Sequence, residues 1–373
     1  MGDFPRYRKM HALLDAGQSV WLDYLSRDMT RSGELQSLIE DGLRGMTSNP
    51  TIFERALSGS TSHDADLARA AAKMTDREVF DALSIDDVRE AADLFRPVYD
   101  ATDGRDGFVS LEVSPGVARN TEASAAEARR LWKALDRPNV MIKIPGTREG
   151  WPAIEQCLLE GININITLLF AVEHYQAVAE AYLRALEARA ARGQAIDRVA
   201  SVASFFLSRI DTEVDRRISA GGLSLPQVHG KVAIAAARLA YESFLETTRS
   251  ARWTALEFRG ARKQRLLWAS TSTKNPAYSD VLYIESLIAP DTISTVPLDT
   301  LRRFEDHGTV AATLEQFTAA GARTVMETLA RGGVDLGDVN RTLENEGIAA
   351  FAQSFDKLLQ AVASKRHAPA AAT

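Results

Sequence analysis

The sequence of 373 residues holds a single cysteine, Cys157, so no disulfide can form within the chain. It lacks any run of ~18 apolar residues and any charged-then-apolar leader at Met1, which argues against a spanning helix and a secretory signal and points to the cytoplasm. Its six histidines form no HExxH pair, and thiolate ligands are missing, so no zinc site is expected, while composition alone leaves carboxylate-held magnesium open. No glycine-rich nucleotide loop is present either. Residues 146–150 (GTREG) fit neither dinucleotide nor phosphate-loop spacing, so no cofactor is expected. Charge of one sign is also lacking: 44 basic and 50 acidic residues are interspersed, for a net charge of −6. Without a basic block, neither nucleic acid nor a membrane surface is an expected partner. An anionic ligand would need a local basic pocket.

What the sequence does contain is alternation. Short β-branched runs at 20–25, 45–49, 108–113, 140–144, 164–168, 199–205, 266–271 and 292–296 read as strands. Ala- and Leu-rich stretches of helical period separate them. In residues 123–135 the apolar positions Ala125, Ala128, Leu131, Trp132 and Leu135 share one helical face, with Asn120 or Thr121 as N-cap. Residues 171–192 repeat the pattern and stop at Gly193. Eight strands alternating with helices predict an α/β protein, a (β/α)8 TIM barrel with additional helices. Two gaps, about 53–106 and 210–263, are too long for one helix, and further helices such as 348–362 follow the last strand. No Pro/Gly/Ser linker isolates these pieces. Residues 1–364 therefore read as a single barrel domain with helical insertions and C-terminal helices, and 365–373 as a disordered tail.

Successive strand residues point to opposite faces, so period two separates barrel interior from helix-facing exterior. Val140, Ile142 and Ile144 face the helices, which turns Met141 and Lys143 inward. Val109, Leu111 and Val113 likewise turn Phe108, Ser110 and Glu112 inward. Asp23 opposes Leu22 and Tyr24, sharing its face with Trp21 and Leu25. Asn163, Asn165 and Thr167 oppose Ile164, Ile166 and Leu168. A lysine paired with a carboxylate inside a barrel can be a purely structural ion pair. Adding Asp23, Asn49, Asn165 and Thr167 near the C-terminal strand ends, where barrel enzymes place their sites, favours a catalytic cluster. A lysine there, without metal or nucleotide loop, points to amine attack on a carbonyl. The resulting iminium acts as an electron sink for cleaving the adjacent carbon–carbon bond, and Glu112 and Asp23 can serve its proton transfers.

Six segments carry a family resemblance: GMTSNP at 45–50, SLEV at 110–113, VMIKIP at 140–145, NINITLLF at 163–170, SFFLSR at 204–209 and TSTKN at 271–275. In this order they resemble the transaldolases, over about residues 23–300. The resemblance implies a class I aldolase-type barrel with Lys143 as Schiff-base lysine. Asp23 would take the C4 hydroxyl proton, and Glu112, with a water held by Thr167, would shuttle protons during imine formation. Asn49 and Asn165 would hold the hydroxyls of the three-carbon unit, with Thr47, Ser204 and Phe206 completing the wall. Arg209 matches the first residue of the family's phosphate-binding basic pair. Lys274 stands where arginine is usual, with Ser272 close by. Phe205 and Ser208 replace a familiar proline and glycine, which marks a divergent subgroup.

The implied reaction moves a dihydroxyacetone unit from fructose 6-phosphate or sedoheptulose 7-phosphate to erythrose 4-phosphate or glyceraldehyde 3-phosphate. The implied assembly is a monomer or homodimer. A lyase of the fructose-6-phosphate aldolase type is the nearest rival, but such relatives tend to carry glutamine at 112 and tyrosine at 206. A silent sugar-phosphate-binding barrel is disfavoured by the intact Lys143, Glu112 and Asp23, and a metal-dependent aldolase by the missing histidine ligands. Cys157 reads as a buried, inert thiol, and Trp21 and Trp268 as packing residues.

Overall fold

A computed structural model describes residues 7–70 and 73–366. Eight parallel strands pair in chain order: β1 Gln18–Asp23, β2 Gly45–Thr47, β3 Phe108–Glu112, β4 Val140–Pro145, β5 Ile164–Leu169, β6 Ser201–Phe206, β7 Arg265–Ala269 and β8 Thr292–Val296. β8 returns to β1, with Gln18 beside Thr292 and Leu22 beside Val296, so the barrel closes and no edge is left unpaired. The expected (β/α)8 barrel is the observed fold.

Strand ends depart from expectation where backbone geometry intervenes. β1 stops at Asp23, and Leu25, expected inside, joins the helix-side core instead. β2 stops at Thr47 because Asn49 leaves the sheet to cap the helix Pro50–Ser58, its Oδ1 accepting from Ile52 N at 3.1 Å. β7 stops at Ala269 because Ser270 takes a left-handed φ of +56°. The largest correction is at Leu168, expected to face the helices. It adopts φ +59°, and the β5–β6 register shifts between Ile166 and Leu169. Leu169 takes the next outward position, while Leu168 turns to the barrel mouth.

The interior is filled in layers. At the N-terminal end Arg265 reaches Asp106 at 2.7 Å and Ser19 at 2.9 Å, while Ser19 donates to Asp106 at 2.8 Å. Above this closed ion pair, Trp21, Phe108, Met141, Val202, Leu267 and Ile293 form an apolar plug. Burying each such side chain contributes about 1.5–3 kcal/mol. Gly45 leaves room for the Trp21 indole: a Cβ there would lie 2.5 Å from Trp21 Cε2. The plug seals the C-terminal end of the barrel from a cavity of about 250 Å³ at the N-terminal end, beside Lys263 and Arg265.

Outside, the helix Thr121–Leu135 is capped by Asn120, which accepts from Ala123 N at 3.0 Å, and the helix Val172–Ala191 ends before Gly193 at φ +68°. Cys157 lies fully buried in the helix Gly150–Glu160, where burial pushes its thiol up to about 12. The long gaps hold the helices Pro50–Ser58, Asp64–Arg69 and Asp76–Ala101, and Ser208–Ala220, Val232–Thr248 and Ala251–Glu257. The final helix, Leu336–Arg366, packs on several of these and crosses the barrel mouth. It is longer than expected and includes Lys365 and Arg366, with Lys365 Nζ 2.8 Å from Asp64. The rest of the expected tail, 367–373, lies outside the described residues. No helix among the described residues is long and apolar enough to cross a membrane.

Candidate active site

The sheet register builds the site directly. Glu112 pairs with Lys143 across β3–β4, Lys143 with Asn165 across β4–β5, Pro145 with Thr167, and Asp23 with Thr47 across β1–β2. Because parallel neighbours at one register point the same way, Glu112, Lys143 and Asn165 project into the barrel together. Lys143 is 7% exposed, its Nζ 3.5 Å from Glu112 Oε2 and donating to Ser48 O at 3.3 Å. This contact is long beside the 2.7 Å pair of Arg265 and Asp106 at the other end. The Arg265 pair is tight and surrounded by partners, as a structural buried pair must be; Lys143 is loosely held. Burial raises the Glu112 carboxyl above its ordinary value, the Lys143 ammonium opposes that shift, and the Asp23 charge adds to it.

Lys143 opens onto an inner cavity of about 130 Å³, bounded by Asp23, Thr47, Asn49, Thr167, Ser204, Phe206 and Arg209. Thr47 Oγ1 donates to Asp23 Oδ1 at 2.9 Å. Its single hydrogen is thereby used, so Thr295, 2.9 Å away, is the donor to Thr47. Thr167 Oγ1 is buried and has no hydrogen-bond partner among the described residues. Asn165 is fully buried, with Nδ2 donating to Ser110 at 3.0 Å and Oδ1 accepting from Ser204 at 2.7 Å. It lies off the cavity lining, so the amide expected to touch ligand supports Ser204 from behind. Asn49 is on the lining, with its oxygen spent on the helix cap.

The inner cavity widens into an outer one of about 400 Å³ that includes Glu112, Arg55, Ser272 and Lys274. The final helix covers it with Gly347, Ala350 and Phe351, anchored by Thr51 to Ser354 at 2.9 Å. Gly347 permits the close approach: a Cβ would lie 3.2 Å from Leu168. Arg209 is the second residue of the helix Ser208–Ala220, its guanidinium 5.8 Å from the Phe206 ring centroid. Ser208 Oγ lies 2.8 Å from Ser270 Oγ, which joins the ends of β6 and β7. Burial lowers the Arg209 guanidinium from its ordinary value, opposed by Glu346. Lys274 Nζ donates to Ser272 at 2.6 Å. It is lowered by burial first, then by repulsion from Arg209 and Arg55. Arg55, Arg209 and Lys274 crowd together with none of them ion-paired to a carboxylate among the described residues, although Glu346 and Asp23 act on them from nearby, and such a cluster can receive an anion.

The structure thus brings Asp23, Thr47, Asn49, Lys143, Thr167, Ser204, Phe206 and Arg209 around one cavity, and Glu112, Ser272 and Lys274 around its outer extension. Asn165 alone stands behind the wall. Sequence reasoning did not find Thr295, Ser270, Arg55 or the covering helix. Thr295 was accessible to the period-two rule, since it follows Ile293 on the inward face of β8. Arg55 and the covering helix depend on packing between distant segments.

Comparison with known proteins places this geometry. The family model for Transaldolase/Fructose-6-phosphate aldolase matches residues 20–362. The chain is 46% identical to the transaldolase of Trichodesmium erythraeum over 363 residues, covering 94% of this chain and 95% of that one. It is 48% identical to the transaldolase of Saccharopolyspora erythraea, covering 95% and 96%, and 47% identical to that of Thermobifida fusca, covering 95% and 98%.

Proposed function

Because the chain belongs to the transaldolase/fructose-6-phosphate aldolase family and is a transaldolase, an enzyme of the pentose phosphate pathway, we propose that Lys143 is its Schiff-base nucleophile. The observation that carries this reading is the buried Lys143 amine, loosely held 3.5 Å from Glu112 on the wall of a cavity it shares with Asp23. The amine attacks the ketose C2 to give a carbinolamine. Glu112, kept more readily protonated by burial, donates the proton on which the hydroxyl leaves as water. Asp23 takes the C4 hydroxyl proton, the C3–C4 bond breaks, and its electron pair flows into the iminium to give an enamine. The aldose phosphate departs. C3 of the enamine then attacks an acceptor aldehyde, Asp23 returns its proton to the new hydroxyl, and hydrolysis of the imine frees Lys143.

Thr167, with its unpartnered buried hydroxyl, is suited to hold the water used in those steps. Asn49 Nδ2 and the wall of Thr47, Ser204 and Phe206 contact the three-carbon unit, while Asn165 fixes Ser204. Arg209, Ser272 and Lys274 receive the phosphate of fructose 6-phosphate or sedoheptulose 7-phosphate as donor, and of glyceraldehyde 3-phosphate or erythrose 4-phosphate as acceptor. The covering helix supports transfer over release, since an enamine shielded from water survives until an acceptor arrives. In the same reading residues 1–364 act as one barrel domain in the cytoplasm, as a monomer or homodimer.

The test is a direct comparison of products. With fructose 6-phosphate and erythrose 4-phosphate the protein is expected to form a seven-carbon ketose phosphate far faster than it releases free dihydroxyacetone. Release without transfer would make it a lyase and overturn the reading.

A further inference from the structure

The outer cavity holds more positive charge than one phosphate-binding pair supplies. Arg55 projects from the helix Pro50–Ser58, one turn after Thr51, and lines that cavity with Arg209 and Lys274. Its guanidinium makes no hydrogen bond or ion pair among the described residues. Arg209 lines both cavities, whereas Lys274 and Arg55 line only the outer one. The acids Asp23 and Glu112 stand beside Lys143 and the cations lie farther out, none of them ion-paired among the described residues, with Glu346 the nearer carboxylate on the Arg209 side. The helix bearing Arg55 is tied to the wall at Asn49 and to the covering helix at Thr51, so its position is fixed.

A ligand held covalently through C2 has its first three carbons fixed, and its phosphate position then depends on chain length alone. In a six-carbon ketose the phosphate lies one carbon–carbon bond nearer Lys143 than in a seven-carbon ketose. We propose that Arg55 is a specificity-determining residue that binds the phosphate of the longer, seven-carbon ketose phosphate and of its four-carbon aldose product. Arg209 and Lys274 bind the phosphate of both chains, and Arg55 adds a contact that only the longer one reaches. This inference rests on Lys143 being the covalent anchor. The electrostatic coupling of Arg55 to Lys274 supports their sharing one anion.

The experiment measures kcat and KM of Arg55→Gln and Arg55→Lys with sedoheptulose 7-phosphate and with fructose 6-phosphate. For Arg55→Gln, KM for the seven-carbon ketose should rise about tenfold, the loss of one charge-assisted hydrogen bond. KM for the six-carbon ketose should stay within about twofold, the scale of an exposed charge acting at a distance. Arg55→Lys should recover part of the loss by restoring a point charge. Arg209→Gln should raise KM for both ketoses, and an unchanged melting temperature of Arg55→Gln would show the fold intact. Equal changes for the two ketoses, or none, overturn the role of Arg55. Borohydride trapping separates this failure from that of its premise. An adduct on Lys143 with no change in length preference removes Arg55 alone, whereas no adduct in the unsubstituted protein removes the anchor and the Arg55 inference with it.

Discussion

Gly45→Ala adds one methyl group against the Trp21 indole in the barrel floor. Its Cβ would stand 2.5 Å from Cε2 and 2.6 Å from Cδ2 of Trp21, about 1 Å inside ordinary contact. Trp21 cannot yield. Its indole is fully buried, Phe108 packs on it at 6.3 Å between ring centroids, and Nε1 donates to Asp106 at 3.3 Å. Overpacking of this kind costs roughly 1–3 kcal/mol, and the rigid ring on one side and backbone on the other place Gly45→Ala at the upper end. Because β2 carries Thr47 only two residues further along, the displacement should also reach the Thr47–Asp23 contact and lower kcat. The assay is urea unfolding of Gly45→Ala, Trp21→Leu and the double variant. The two changes should couple by about 1 kcal/mol or more, Trp21→Leu relieving the clash. A neutral Gly45→Ala, or strictly additive effects, would refute the packing argument.

Three further outcomes follow from the site. Glu112→Gln keeps the shape of the side chain but cannot move a proton, so kcat should fall about 100-fold or more; the limb of the pH–rate profile set by the raised carboxyl should vanish, and an unaltered profile would remove Glu112 from the proton transfers. Thr295→Val removes the hydrogen bond that orients Thr47, for a cost of about 1 kcal/mol, and should lower kcat with little change in KM; a change in KM alone would contradict a role exerted through Asp23. Asp211, in the first turn of the helix Ser208–Ala220, is pushed by burial from its ordinary 3.8 to about 6, while Tyr283 and Ala233 N hydrogen-bond it. An acid with a raised folded-state pKa favours folding below about pH 4, and that stability is lost as pH rises through about 6. Asp211→Asn should therefore stabilise the protein by up to about 3 kcal/mol at pH 8 and not at pH 4, and equal effects at both pH values in denaturant titrations would refute the buried-charge account.

The sequence carried the barrel because its signals are local: β-branched strands, period-two faces and helices with recognisable caps. The same period turned Lys143, Glu112, Asp23 and Thr167 inward; the register makes Glu112 and Lys143 neighbours, and all but Glu112 line one inner cavity. It failed at Leu168, where a left-handed residue and a register shift break the alternation, and nothing in the string Ile-Thr-Leu-Leu announces that turn. Asn165 was turned inward as expected, but period two says nothing about depth, and its amide donates to Ser110 and accepts from Ser204. The Arg265–Asp106 pair, Arg55 and the covering helix join segments far apart in the chain, which local pattern does not encode.

The covalent role of Lys143 can be read directly by trapping. The protein is incubated with fructose 6-phosphate, reduced with borohydride, digested and read by mass spectrometry. A reduced dihydroxyacetone adduct is expected on the peptide containing Lys143, and neither adduct nor transfer in Lys143→Ala. Full transfer activity in Lys143→Ala, or an adduct on another lysine, would contradict that role.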